Sequence, residues 1–333
     1  MTARQDAPDL ADKVAQLRRP ATYGPQVARV EAIETHMSWV FLTETRAYKL
    51  KKPVRTEFLD YSTVEARRRC CREEVRLNRR LAARVYLGTV GLMRAPDHTL
   101  RVGGAGQVID WLVEMQRLPA DRMLDVQIGR GTVDADILRR AAEVLATFYA
   151  GAEPAGWSAN AYRRRLEGAI GHARDQLHRL QYCLPADSVD ALAAAQRAML
   201  ARAPALLAAR AGRVVDAHGD LRPEHVCLEP EPVFIDCLEF DRDLRMLDPL
   251  SELAFLALEC ERLGAPAAGT VFIDAYVERT GDRAAPEVMA FYRSHHAYLR
   301  AMIAAWHLDD GAIDNHDKWR TRARQYLKLG AQT

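Results

Sequence analysis

Asp220 and His225 in the octet HGDLRPEH, and Asp236 at the end of the apolar run VFID, have the types and spacing for proton and cation chemistry. A carboxylate in a polar loop can accept a proton or orient a hydroxyl. A second carboxylate at a strand end offers hard oxygen donors to a divalent cation. Residues 214–243 read as one unit: VVDAHGD runs from a short strand into a polar loop, HVCL is a second strand, EPEP a turn, and VFID a third strand. Two short strands joined by a turn should bring Asp220, His225 and Asp236 to one end of a hairpin. One acid could then handle a proton while another holds a cation.

The elements around this hairpin divide the chain by pattern. Residues 9–19 read as a short helix. From about residue 27, VARVEAIETHMSWVFLTETRAYKLKKPV alternates or runs apolar in strand-length pieces, with ETHMS and TETR as the turns. Pro53 stops the last strand. STVEARRRCCREEVRLNRRLAARV opens with a Ser/Thr cap and carries Val64, Val75, Leu77, Asn78 and Leu81 at helical spacing. Strands return in TVGLMRAP, TLRVGG and QVIDWLVEMQRL, and Pro119 ends that section. Ala- and Arg-rich helices follow at 134–150, 159–182 and 187–210, then the strand-like stretch 213–243, then helices from 249 onward. The class is α+β.

Composition narrows the function. The 333 residues are 49% hydrophobic, enough for a sizeable core or two lobes sharing one. A formal charge of +2 with 28% charged residues signals neither a nucleic-acid partner nor an acidic tail. ARRRCCREEVRLNRR interleaves Glu with Arg at amphipathic period, so it reads as a solvated helix face. MTARQDAPDL has no apolar leader core, and no stretch approaches the roughly 18 apolar residues of a membrane span, so a soluble, cytoplasmic protein without a membrane partner is expected. Six cysteines without a CxxC pair read as reduced thiols. No GxxxxGK[ST] loop occurs. Only six of the 47 basic residues are Lys, which makes KLKK at 49–52 stand out. In SHHAYLRAMIAAWH the adjacent histidines point in different directions on a helix, which suits a satisfied surface or cleft role, such as lining an acceptor pocket.

HGDLRPEH…VFID resembles the catalytic loop and metal segment of the aminoglycoside-phosphotransferase-like small-molecule kinases, whose loop reads HGDxxxxN. LDPLSELAFLALE resembles their GDPxxDLA segment. The stretch from ETHMS to LNRRLA is similar to the kinase-like half of bacterial proteins that fuse such a kinase to a P-loop ATPase half. The resemblance covers roughly residues 30–300. It implies a two-lobed protein-kinase-like fold with a small β-rich N-lobe, 1–115, that binds nucleotide. A larger, mainly helical C-lobe, 116–333, would carry the catalytic hairpin 213–243 and acceptor-binding helices, the lobes meeting near 114–119. It further implies ATP and Mg²⁺, transfer of the γ-phosphoryl group to a hydroxyl of a sugar, aminoglycoside or similar polyol, and room for a separate P-loop ATPase partner.

Roles carry over residue by residue. Asp220 matches the base or orienter of the acceptor hydroxyl, and Asp236 the Mg²⁺ ligand. In RAYK, Ala47 would leave space for adenine and Lys49 would meet the phosphates; Lys51 lies on the same strand face and is the runner-up. Glu74 would pair with the lysine, with Glu73 the alternative. Glu114, Met115 and Gln116 in VEMQRL would bind the adenine edge through their main chain. ETHMS stands where a phosphate-covering hairpin would be, though without glycine. His225 replaces the family's Asn, and three readings stay open: a metal ligand in its place, a hydrogen-bond partner for Asp220, or loss of a second metal site. His218 would brace the loop backbone, and Asp248 would bond that loop or cap the next helix. Glu239, Asp241 and Asp243 read as a solvated acidic turn, with Glu239 assisting the metal as the alternative. The rival function is a catalytically weak or inactive nucleotide-binding interaction protein, favoured by His225 and the missing glycine loop.

Overall fold

The computed structural model describes residues 8–55, 59–228, 230–309 and 315–332. The leader reading of MTARQDA, the part of the fused-half resemblance at 56–58 and Glu229 of the EPEP turn lie outside the described residues. Contacts divide the chain into two units, Met1–Met123 with Glu229–Asp243, and Leu124–Leu228 with Leu244–Thr333.

In the first unit the alternating stretch forms the strands β1 (Glu31–Glu34), β2 (Ser38–Leu42) and β3 (Arg46–Lys51), joined by the two expected turns. With β4 (Tyr86–Arg94), β5 (Leu100–Val102) and β6 (Gln107–Gln116) they make one antiparallel sheet of order β1-β2-β3-β6-β4-β5. Period two sorts its side chains. Phe41, Tyr48, Leu50 and Leu112 pack with Val14 and Leu17 of α1 (Leu10–Leu17). Ala47, Val113 and Met115 pack on the other face with Cys71 and Val75 of α2 (Val64–Ala82). Thr63 caps α2 by accepting the Ala66 N–H at 3.1 Å, and Arg79 and Arg80 in its last turn complement the helix dipole. Buried Asp110 on β6 ties both helices down: Arg67 grips it with two nitrogens at 2.8 and 2.7 Å, and Lys13 donates at 2.9 Å.

The second unit is mainly helical: α3 (Leu124–Arg130), α4 (Ala135–Ala150), α5 (Ala159–Leu177), α6 (Ala186–Arg202) and α7 (Pro204–Ala211) precede the short strands β7 (Val215–Asp216) and β8 (Val226–Cys227). After β9 (Val233–Phe234) in the first unit, the chain returns through α8 (Arg242–Arg245) to β10 (Met246–Leu247), which pairs antiparallel with β7. Then come α9 (Pro249–Arg262), α10 (Pro266–Thr280), α11 (Pro286–Trp306) and α12 (His316–Gly330). Helix α9 is the buried centre, with α10 and α11 packed on it. Gly269 lets α10 approach: a Cβ there would lie 2.4 Å from Ala257 Cα. Among the described residues no helix is long and apolar enough to cross a membrane.

Four differences from the sequence reading have physical causes. The expected helix 187–210 breaks at Ala203, because Pro204 lacks an N–H and bars its predecessor from the helical region; Ala203 sits at φ −125°, ψ 50°. Helix α3 was not anticipated. Residues 229–243 group with the first unit, whereas the reading kept 213–243 whole in a second lobe starting at 116; buried ion pairs and hydrogen bonds from β3 and α2 hold that segment. His295 and His296 are neither surface nor cleft residues but core, bonded to Gln196 at 3.2 Å and Ser251 at 2.9 Å.

Candidate active site

Strand β3 aims Lys49 and Lys51 at the α2 side of the sheet. Lys49 Nζ donates to Glu74 Oε1 at 2.9 Å and to Asp236 Oδ1 at 2.5 Å. Lys51 Nζ donates to the other Glu74 oxygen at 2.6 Å, to Tyr61 Oη at 3.2 Å, and to Glu239. Glu74 is fully buried, while Asp236 keeps 42% of its side chain exposed. Burial opposes the charge on Lys49, yet Asp236 and Glu74 outweigh it and hold the ammonium well above the usual lysine range. Lys51 is raised in the same way, against burial, by Glu239 and Glu74. Burial would raise Glu239, but the two lysines bring it below the ordinary carboxylate range.

Helix α2 and β4 fix the chain around Asp236. The Asp236 N–H donates to Tyr86 Oη at 3.0 Å, and the Cys237 N–H to Asn78 Oδ1 at 2.8 Å. Asp236 itself adopts a left-handed φ of 62°, a region costly for a side chain bearing Cβ and one that Asp tolerates better than most. Backbone strain of this kind is found where a side chain must be aimed.

In the second unit, Gly219 takes φ +89°, which a glycine adopts without strain, and turns the chain between His218 and Asp220. Glu252 on α9 braces that turn. Its carboxylate accepts the His218 N–H at 2.9 Å together with the Gly219 N–H and the Tyr149 hydroxyl. Arg222 grips the Asp220 carboxylate at 3.1 and 3.0 Å. His225 Nδ1 donates to the Asp220 carbonyl at 2.8 Å, and its Nε2 accepts from Arg222 at 3.0 Å, a tautomer assigned from this network.

Lys49, Glu74 and Asp236 meet in the first unit; Asp220 and His225 share the second unit's loop. Lys51, the runner-up, pairs with Glu74 alongside Lys49. Glu73 faces outward and pairs with Arg76 at 2.6 Å. Ala47 is buried opposite Met115 in the β3–β6 ladder. Glu114 turns to the α1 face, where it accepts from Tyr48 at 3.3 Å. The Gln116 and Arg117 amides are committed to Val85 and Thr45 at 2.8 and 3.0 Å, so the Gln116 N–H assigned to an adenine edge serves the sheet instead. Asp248 caps α9 through Leu250 at 3.0 Å and is gripped by Arg210 at 2.6 and 2.7 Å. The reading missed Asn78, Glu252 and Arg222, although Glu252 lies within the quoted LDPLSEL and Arg222 within the octet.

Hard carboxylate oxygen suits Mg²⁺, which on a nucleotide takes one or two carboxylates and completes its shell from phosphate and water. Asp236 fits such a site. Among the described residues no three His, Cys, Asp or Glu side chains group as a preformed metal site. His225 does not fit as a ligand, because both its nitrogens serve hydrogen bonds; as placed it secures the Asp220 main chain.

The model of the phosphotransferase enzyme family matches residues 65–292. An uncharacterised protein of Mycobacterium tuberculosis (strain ATCC 25618 / H37Rv) is 32% identical over 297 residues, covering 85% of this chain and 56% of its own length. The chain therefore spans about half the length of the curated relatives it matches. A choline/ethanolamine kinase family protein from Mesorhizobium loti superposes with a TM-score of 0.57 at 17% identity, covering 96% of this chain and 94% of its own. The aminoglycoside 2′-phosphotransferase-IIIa of a GDP complex gives 0.54 at 12% identity, covering 92% and 93%. At these identities the likeness is one of fold, and the fold is the expected kinase-like one, a β-rich lobe and a mainly helical lobe.

Proposed function

The chain belongs to the phosphotransferase enzyme family, and on that premise we propose that it moves the γ-phosphoryl group of ATP to a hydroxyl of a small molecule such as a sugar, an aminoglycoside or a similar polyol. The observation that carries this reading is Lys49 held between Glu74 at 2.9 Å and Asp236 at 2.5 Å. A buried carboxylate fixes the direction of an ammonium whose other neighbour is a partly exposed acid, which suits an anchor for nucleotide phosphates beside a cation site.

Phosphoryl transfer asks for alignment and charge neutralisation more than covalent chemistry, and positioning alone can lower a barrier by roughly 7–11 kcal/mol. Lys49 binds the phosphates and Glu74 orients it. Asp236 would hold Mg²⁺, which would supply charge neutralisation on the phosphates. Asp220 orients the acceptor hydroxyl and takes its proton, while Arg222 and the His225–carbonyl bond keep that carboxylate in one direction. A cytoplasmic location goes with this cosubstrate. A separate P-loop ATPase partner rests on the sequence resemblance alone.

The test is melting temperature with and without ATP and Mg²⁺, for the wild type and Asp236→Ala. Ligand at about 100 times its Kd stabilises the folded state by about 2.7 kcal/mol. A metal-dependent shift in the wild type that Asp236→Ala loses supports the reading; a wild type that does not respond refutes it. One observation favours the second reading, an inactive nucleotide-binding interaction protein: His225 offers no nitrogen to a second metal. That reading predicts the same shift with no ATP turnover that Asp220→Asn can remove.

A further inference from the structure

We infer that Lys51 and Glu239 are a positioning pair: they keep Glu74 paired independently of Lys49, and they anchor the segment that carries Asp236. The inference rests on the nucleotide-site reading above.

The two oxygens of Glu74 take two different ammonium groups, those of Lys49 and Lys51. A buried carboxylate stripped of its only cation is strongly destabilising. If Lys49 were that only cation, any movement of Lys49 toward a phosphate would strand Glu74. Lys51 removes this conflict, since its Nζ bonds the other oxygen, Glu74 Oε2, at 2.6 Å. Lys51 is 1% exposed and lies 4.8 Å from the centroid of the Tyr61 ring, so it is built into the interior and is not a spare surface lysine. Its other partner, Glu239, also accepts from the Tyr61 hydroxyl.

Glu239 follows Asp236 by three residues. Tyr86 and Asn78 hold the start of this segment at the Asp236 and Cys237 amides, and Lys51 with Tyr61 holds its end. Asp236 is thereby fixed from both sides while its own carboxylate stays partly exposed.

The experiment is calorimetric titration of ATP with and without Mg²⁺ into the wild type, Lys49→Met, Lys51→Met, Glu239→Gln and the double variant Lys51→Met/Glu239→Gln. Lys51→Met and Glu239→Gln should each weaken Mg²⁺–ATP binding about 10–100-fold, as losing a group that orients a ligand does, and should weaken metal-free ATP binding much less, whereas Lys49→Met should weaken both. The double variant is decisive where a single one fails to fold. It leaves no unpaired charge at positions 51 and 239, so its melting temperature should recover while the Mg²⁺ effect stays lost. Recovery of Mg²⁺–ATP affinity in the double variant overturns the inference, because the pair would then serve only the fold. Lys51→Met with wild-type affinity beside a Lys49→Met that no longer binds also overturns it, and leaves the nucleotide reading standing. A wild type that binds no ATP overturns that reading, and the pair's role with it.

Discussion

Glu252→Gln should unfasten the loop that carries Asp220 without altering any group that faces it. The carboxylate of Glu252 is fully buried and accepts three donors: the His218 N–H on Oε2 at 2.9 Å, the Tyr149 hydroxyl on the same oxygen, and the Gly219 N–H on Oε1. Hydrogen bonds to an ionised acceptor contribute about 1.5–3 kcal/mol each, roughly twice the neutral value. Glutamine keeps the shape but has one acceptor. Placing its oxygen at Oε2 serves His218 and Tyr149 at neutral strength and turns an NH₂ toward the Gly219 N–H, donor against donor. One strong bond is lost and two weaken to about half, which sums to about 3–6 kcal/mol of stability. Urea denaturation reads that loss, and hydrogen exchange locates it: the His218 and Gly219 amides should exchange faster, ahead of the α9 core. Turnover should fall further than stability explains, since a displacement of about 1 Å at a reacting group can reduce rate by about 100-fold. A variant within about 0.5 kcal/mol of wild type, with both amides as protected as before, would refute the assignment of Glu252 as the brace.

Arg210→Met leaves the buried carboxylates of Asp248 and Asp282, 0% and 4% exposed, without their shared cation, so about 3–5 kcal/mol should be lost at neutral pH in denaturant titrations. In the wild type, burial raises the Asp282 carboxyl but bonds from Arg210 and Tyr276 hold it below the ordinary range, so its contribution is present above about pH 3.9 and lost on acidification through the folded value. Without Arg210 burial acts less opposed and the folded form takes up protons; the deficit should therefore narrow between about pH 7 and pH 5. Burial lowers His295 to about 4 and His296 to about 3, so their neutral forms stabilise the fold above about pH 6.5 and that contribution fades as the unfolded chain protonates. Stability should fall by roughly 2 kcal/mol per histidine by pH 5, and a His295→Gln/His296→Gln variant should show a flatter melting-temperature profile. Tyr86→Phe removes the acceptor of the Asp236 N–H and should lower stability by about 1–3 kcal/mol in urea titrations, with a weaker Mg²⁺ dependence of nucleotide binding.

Local chemistry made much of this legible. The ETHMS and TETR turns, the Thr63 cap and the period-two faces are short-range signals, and they led directly to β1–β3, α2 and the direction of Lys49. The break at Pro204 was equally local and should have been read from proline's missing N–H. Other features depend on pairings across long sequence separations. Lys51 meets Glu239 188 residues away, and nothing near either residue announces a buried ion pair. Asn78 was counted among the positions at helical spacing, with no sign that its amide oxygen would accept the Cys237 N–H. The two adjacent histidines carried a surface or cleft reading because neighbours on a helix point in different directions; Gln196 and Ser251, distant in sequence, make their burial tolerable.

The return of residues 229–243 to the first unit has a consequence for how the protein is made. A ribosome delivers Met123 about 120 residues before Asp243, which at about 5–20 residues per second is a wait of roughly 6–24 s. Throughout that interval the sheet exists without Asp236 and Glu239, and Lys49 and Lys51 lack two of the carboxylates they pair with, keeping Glu74. The first unit thus completes itself late in synthesis, after most of α3–α7 has emerged. A fragment ending at Met123 would freeze the nascent chain in that unfinished condition, so the sheet is a poor candidate for expression by itself.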